Sequence, residues 1–203
     1  MLGFVAPRLV LMSVPKTGTS ALEAALSGRA QLALRGRPEI KHLTMARYLK
    51  HIEPLLRAIP GPRFLVVAAI REPRDWLGSW YRYRQRPELQ GRANSTAGIS
   101  FEGFVQDYLS DERPPHARLG RQSGFLTAPE ESTPPETLLF QYEQLPLLVA
   151  FMEQALKVTL SLDRVNVSPP GDLTLSAATE TRLRAALAED YALWGSAFRA
   201  PAP

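Results

Sequence analysis

The chain has 203 residues, of which 45% are hydrophobic and 22% are charged, a composition typical of a globular protein and not of a disordered or fibrous chain. It has no cysteine, which excludes disulfides, thiolate metal ligands and a cysteine nucleophile. The net charge of +4 suits an anionic ligand and is too small to indicate nucleic acid. No stretch reaches the roughly 20 apolar residues of a membrane span, and residues 1–7 are too short for a signal peptide, so we expect a cytoplasmic protein.

In chain order, the first part of the sequence predicts strands that alternate with helices. A short apolar run at 8–14 predicts a buried strand, a loop follows, and alanine and leucine at 21–27 predict a helix that ends at Gly28. Residues 31–40 are compatible with a second short strand. The apolar spacing over 44–59 predicts one helix, which proline and glycine end.

The remainder continues this pattern. The continuous apolar run at 64–70 is typical of a strand buried on both faces of a parallel sheet. Pro73 then suits the first turn of a helix with Trp76, Trp80 and Tyr83 on one side. Further predicted elements are a loop at 86–100, a helix at 101–109, an irregular stretch at 110–135, a strand at 137–142 and helices at 143–158 and 176–194. We therefore expect one α/β domain over 1–203, with a parallel sheet and a ligand site beyond the strands' carboxyl ends.

The loop after the first predicted strand has the features of an anion-binding loop. Residues 13–20 read S-V-P-K-T-G-T-S. Backbone N–H groups near a helix N-terminus favour phosphate or sulfate, Gly18 permits close approach, and Lys16 adds a mobile charge. The sequence is not the G-x-x-x-x-G-K-[ST] loop, because Lys16 precedes the glycine. The alternative interpretation is a surface turn with a solvated lysine.

A second motif follows the strand predicted at 64–70. Residues 71–81 read R-E-P-R-D-W-L-G-S-W-Y. Arg71 can bind phosphate through its planar guanidinium group, and Ser79 lies about two helical turns further on. Alternatively, Arg71 pairs with a nearby carboxylate and Ser79 is a packing residue. Together the two motifs predict two anion sites at two strand ends, which suit one ligand with two separated anionic groups.

In this order the motifs resemble those of sulfotransferases that use 3′-phosphoadenosine 5′-phosphosulfate (PAPS). Residues 15–20 resemble the 5′-phosphosulfate loop of that family, and residues 71–81 resemble its 3′-phosphate motif, R-x-P-x-x-x-x-x-S-x-Y. The resemblance implies a parallel β-sheet flanked by helices in a P-loop-like fold, no metal, and 3′-phosphoadenosine 5′-phosphate (PAP) as a product. It implies that Lys16 contacts the sulfate and shields the leaving phosphate. It assigns the 5′-phosphate to Thr17, Gly18, Thr19 and Ser20, and the 3′-phosphate to Arg71 and Ser79.

The segment E-I-K-H-L at 39–43 resembles the one that carries the catalytic histidine in cytosolic sulfotransferases. His42 is therefore the candidate general base, because neutral imidazole can take the acceptor's proton as its oxygen attacks sulfur. Glu39 is the alternative base, since an acidic residue does this work in other members of the family.

Two further arginines are predicted nucleotide contacts by resemblance. Arg121 begins the triplet R-Q-S, similar to a segment near the nucleotide in the carbohydrate-modifying branch. Arg164 stands where the family closes a loop over the nucleotide, although the usual R-K-G-x-x-G-x-W motif is absent. The loops at 86–100 and 110–135 are predicted to form the site of a small-molecule or carbohydrate acceptor, whose identity the sequence leaves open.

Two other functions are compatible with these motifs. A P-loop nucleotide kinase would require its lysine after the second glycine of the loop. A sulfotransferase-like domain that binds anions without catalysis is favoured by the short chain and the absent closing motif, and disfavoured by the presence of Lys16, His42, Arg71 and Ser79. Binding of PAP, binding of ATP with magnesium, and turnover of PAPS distinguish the three functions.

Overall fold

A computed structural model describes residues 1–162 and 171–199 and places one five-stranded sheet at the centre of the molecule. The strands are β1 (Leu2–Phe4), β2 (Leu9–Leu11), β3 (Leu32–Ala33), β4 (Leu65–Ile70) and β5 (Thr137–Gln141). They lie in the order β3-β1-β2-β4-β5. Strand β4 pairs in parallel with β2 and β5, whereas β1 pairs antiparallel with β2 and β3. The expected α/β fold is confirmed, but the sheet is mixed and the prediction of a purely parallel sheet is wrong.

Helices flank this sheet. They are α1 (Thr19–Leu26), α2 (Pro38–Lys41), α3 (Met45–His51), α4 (Glu53–Arg57), α5 (Pro73–Arg84), α6 (Phe101–Tyr108), α7 (Gln122–Leu126), α8 (Leu145–Leu156), α9 (Ala177–Ala186) and α10 (Ala188–Ser196). Within the described residues, none is long and apolar enough to cross a membrane.

The helix boundaries depart from the sequence-based expectations in four places. Strand β3 covers only the start of the segment 31–40 that is compatible with a strand, and helix α2 begins at Pro38. The single helix predicted over 44–59 is broken into α3 and α4, because Pro54 has no N–H with which to continue the hydrogen bonding of α3. The helix predicted over 176–194 is divided at Leu187, which has φ −107° and ψ 25°. Helix α7 lies inside the stretch at 110–135 that was expected to be irregular.

Strand β4 is buried on both of its faces, as its continuous apolar run predicts. Val66 and Ala68 pack in the cluster that includes α3, α4 and α7, whereas Val67 and Ala69 pack against α1 and α8. Helices α5, α6 and α9 form a third apolar cluster. The helices therefore cover both faces of the sheet, while the carboxyl ends of β2, β4 and β5 share one edge.

The packing of α1 on the sheet generates a stability prediction. Leu22 is 0% exposed, so Leu22→Ala should lower the free energy of unfolding by about 2–5 kcal/mol through lost burial and a cavity. Leu55 is 63% exposed on α4, so Leu55→Ala should change it by less than about 0.5 kcal/mol. Urea denaturation measures both values, and equal stabilities for the two variants would contradict this packing.

Candidate functional site

The residues that follow three parallel strands meet at one edge of the sheet. Lys16 lies beyond β2, Arg71 beyond β4 and Tyr142 beyond β5. Arg71 Nη1 donates a hydrogen bond to the Lys16 carbonyl oxygen at 3.2 Å. The Arg71 guanidinium carbon also lies 4.5 Å from the centroid of the Tyr142 ring. The structure thus brings the two anion motifs of the sequence into contact.

The loop between β2 and α1 contains two residues in the left-handed conformation. They are Lys16, with φ 67°, and Gly18, with φ 72°. A Cβ atom at Gly18 would lie 3.0 Å from the Tyr142 ring, closer than carbon atoms normally approach. Glycine is therefore required at this position both by the backbone conformation and by the adjacent ring.

The hydroxyl groups of this loop make hydrogen bonds within the protein. Thr17 and Thr19 donate to the Val14 carbonyl oxygen, at 2.9 and 3.5 Å. Ser20 Oγ accepts a hydrogen bond from Lys41 Nζ at 2.9 Å. Helix α1 begins without a side-chain cap, and the Ala21 N–H donates to the Gly18 carbonyl oxygen. The N–H groups of Thr19 and Ser20 and the Ser20 hydroxyl hydrogen are therefore the donors available to an anion.

The Lys16 ammonium group lies over aromatic rings. Its Nζ is 4.2 Å from the Tyr83 ring centroid and 5.5 Å from that of Trp80. Among the described residues, no carboxylate lies within ion-pair distance of it. Burial, and after it three guanidinium groups, lower the pKa of Lys16 to about 7. The three groups belong to Arg86, Arg71 and Arg82. A bound anion would relieve this repulsion.

One side of α5 holds the loop in place. Trp76 is 2% exposed, and its Nε1–H donates to the Pro15 carbonyl oxygen at 2.8 Å. The Trp76 ring contacts that of Trp80, and Trp80 contacts Tyr83, with centroids 6.1 and 5.9 Å apart. Ser79, on the same helix, is 6% exposed.

The main chain of Arg71 is held by the side chain of Gln122, which is 0% exposed. The Arg71 N–H donates to Gln122 Oε1 at 3.0 Å, and Gln122 Nε2 donates to the Arg71 carbonyl oxygen at 2.7 Å. Asp190, on α10, accepts hydrogen bonds from the N–H groups of Gln122 and Ser123 at 2.8 and 3.2 Å. In the triplet R-Q-S, the glutamine and the serine thus support the site, while Arg121 is exposed and its nucleotide contact stays a prediction.

His42 lies between α2 and α3 and contacts the loop at Ser13. Its Nδ1 is 2.7 Å from the Ser13 carbonyl oxygen, which can only accept, so Nδ1 carries the hydrogen and Nε2 is left as the proton acceptor. Burial lowers the pKa of His42 more than this hydrogen bond raises it, so the neutral ring persists to lower pH than in an ordinary histidine. Glu39, the alternative base, is exposed on α2.

A buried carboxylate connects the His42 turn to the loop. Glu23 Oε2 lies 2.8 Å from Lys41 Nζ, and Glu23 Oε1 accepts from the Ser13 hydroxyl at 2.7 Å. The amino group of Met1 lies 3.3 Å from the same oxygen. Burial raises the pKa of Glu23, but hydrogen bonds from Lys41 and Ser13 outweigh it, and the pKa is lowered. Glu23 therefore holds both Lys41, the residue before His42, and Ser13, whose carbonyl oxygen contacts His42 Nδ1.

Comparison of the chain with protein-family models, curated proteins and solved structures finds no match. The functional assignment accordingly rests on the site. Arg164, the last of the sequence-based candidates, lies outside the described residues. Sequence reasoning included Gln122 only as the middle residue of the R-Q-S triplet and did not single out Arg82. It noted Trp76 only as one of an aromatic row on the helix.

The electrostatics of Lys16 predict pH-dependent anion binding. With a pKa of about 7, Lys16 is protonated at pH 6 and mostly neutral at pH 9, whereas sulfate keeps its charge over this range. We expect sulfate affinity to fall about tenfold from pH 6 to pH 9, because one charge-assisted hydrogen bond is lost. Calorimetry should find no such dependence in Lys16→Met and the full dependence in His42→Gln. An affinity independent of pH in the wild type would contradict the assignment.

Proposed function

We propose that this protein is a sulfotransferase that moves a sulfonate group from PAPS to a hydroxyl or amine of a small-molecule or carbohydrate acceptor. The observation that carries the proposal is the contact between the two anion motifs, with Arg71 Nη1 3.2 Å from the Lys16 carbonyl oxygen. A ligand with two separated anionic groups can span from the loop to Arg71. PAPS is such a ligand, with a 5′-phosphosulfate and a 3′-phosphate.

On the donor side, the first-turn N–H groups of α1 bind the 5′-phosphate. Arg71 and Ser79 bind the 3′-phosphate, Arg71 as a charged donor and Ser79 through its hydroxyl hydrogen. Lys16 donates to the oxygen that bridges phosphorus and sulfur and stabilises the negative charge that develops there as the bond to sulfur breaks. The bound anion raises the pKa of Lys16 from its ligand-free value, so the ammonium form is present when it is needed.

On the acceptor side, His42 acts as the general base. Its Nδ1–H stays on the Ser13 carbonyl oxygen while Nε2 takes the proton of the attacking hydroxyl. The acceptor oxygen forms its bond to sulfur as the bond from sulfur to the bridging oxygen breaks, and that electron pair leaves with PAP. The proton then passes from His42 to solvent, which restores the neutral base.

Thermal melting with nucleotides tests the proposal. PAP at 100 times its Kd should stabilise the protein by about 2.7 kcal/mol, and Arg71→Ala should lose most of this stabilisation. Stabilisation by ATP with magnesium and not by PAP would instead indicate a nucleotide kinase. Stabilisation by PAP without turnover of labelled PAPS, either by water or across a panel of acceptors, would indicate a binding domain that does not catalyse.

The role of His42 predicts a separation between rate and binding. His42→Gln should lower kcat about 10²- to 10⁴-fold, the usual contribution of a general base, and leave the Kd of PAP near the wild-type value. The wild-type rate should fall as pH drops through the pKa of His42, which burial places below the ordinary histidine value. Glu39→Gln is the matched control and should keep both rate and pH profile. A folded His42→Gln enzyme with normal kcat would remove His42 from the mechanism, and a loss confined to Glu39→Gln would move the base there.

A further inference from the structure

A second row of side chains runs along α5 beside the aromatic row. Asp75, Ser79 and Arg82 are spaced by four and three residues, which places them on one face of the helix. At the start of this row, Asp75 lies between two guanidinium groups. Its Oδ2 is 2.6 Å from Arg71 Nε, and its Oδ1 is 3.7 Å from Arg82 Nη2.

We propose that Arg82 is a third ligand of the 3′-phosphate, with Arg71 and Ser79. The Asp75 carboxylate competes with the phosphate for both guanidinium groups and is displaced when the phosphate binds. The inference rests on the proposed function and adds two residue roles to it, Arg82 as a residue that binds the phosphate and Asp75 as a counter-ion within the protein. Both residues lie outside the motif positions that the sequence resemblance assigns.

The geometry indicates that a ligand can replace the Asp75 carboxylate while Arg71 and Arg82 stay in place. The Asp75 side chain is 40% exposed, so it can rotate into solvent, whereas Arg71 and Arg82 are 12% and 18% exposed. The 3.7 Å separation from Arg82 is too long for a hydrogen bond, so the donors of Arg82 are not saturated by Asp75. A phosphate carries up to two negative charges and three terminal oxygens, against one charge on a carboxylate, and it can accept from both guanidinium groups at once.

Ser79 lies on the same face of α5, between Asp75 and Arg82 in the sequence. It is 6% exposed. Ser79 is four residues after Asp75 and three before Arg82. At this position its hydroxyl would donate a hydrogen bond to an oxygen of a phosphate that the two arginines hold.

Asp75 pairs with Arg71 and lies in the first turn of α5, but it does not cap the helix. The α5 N-terminus is capped by Glu72, whose Oε2 accepts from the Asp75 N–H at 2.7 Å, so the Asp75 side chain is not the cap. Arg82 in turn adds to the positive charge that disfavours protonated Lys16. Arg71 and Arg82 share the single negative charge of the exposed Asp75 carboxylate. An anionic ligand of higher charge would explain why the two guanidinium groups lie close together.

Calorimetry with PAP and with adenosine 5′-phosphate (AMP) tests the inference, because the two nucleotides differ only in the 3′-phosphate. Arg82→Ala should lower the ratio of PAP to AMP affinity about 10- to 100-fold and leave AMP affinity near the wild-type value. Asp75→Asn should raise PAP affinity and change AMP affinity less. Arg57→Ala, at an exposed position on α4, is the control for the loss of one positive charge and should keep the ratio.

The possible failures are distinguishable. If the wild type binds PAP no more tightly than AMP, the proposed function fails and this inference fails with it. If the wild type prefers PAP and Arg82→Ala keeps that preference, only the role of Arg82 is overturned. Weaker PAP binding in folded Asp75→Asn would make Asp75 an orienting residue and end its role as a competitor. Melting curves verify folding, and Arg82→Gln, which keeps most of the side-chain stem, carries the test if Arg82→Ala does not fold.

Discussion

The position of the anion loop depends on two hydrogen bonds that its carbonyl groups accept from the segment after β4. The Trp76 indole donates to the Pro15 carbonyl, and the Arg71 guanidinium donates to the Lys16 carbonyl. Loss of a buried bond of this kind leaves an unsatisfied polar group, which costs about 1–3 kcal/mol. The left-handed turn at Lys16 is therefore held from outside the loop. Since Trp76 is packed among the residues of α6 and α9, that third apolar cluster is part of the support of the site.

Accumulated positive charge at the site acts against the stability of the ligand-free protein. The pKa of Lys16 is 10.5 in an unperturbed chain and about 7 in the fold. Between these values the unfolded chain binds more protons. The unfavourable contribution of Lys16 to the free energy of unfolding is therefore greatest below pH 7 and disappears as pH rises to 10.5. An anion that pairs with Lys16 raises its pKa and so reduces this cost.

Local signals in the sequence were sufficient to predict part of this arrangement. Lys16, Gly18 and Arg71 were predictable because each lies next to an apolar strand pattern. Strand β1 was not, since the short apolar run that contains it ends at Pro7 and its antiparallel pairing with β2 and β3 is set by tertiary structure. The contacts of Trp76 with Pro15 and of Gln122 with Arg71 join residues 61 and 51 positions apart, and no local pattern encodes them. The apolar spacing continues through Pro54 and therefore does not indicate the break between α3 and α4.

The loop also connects the proposed general base, His42, with Lys16, the proposed contact of the leaving group. Its Ser13 carbonyl fixes the tautomer of His42, and three residues later the Lys16 ammonium group lies over the Tyr83 ring of α5. The first contact is supported by the Glu23–Lys41 ion pair and the second by the aromatic row, so each end has its own support outside the loop. In the proposed reaction the sulfur has to lie between the base on one side and the lysine on the other. A short loop anchored at both ends can keep that separation constant, which independent flexible side chains could not do.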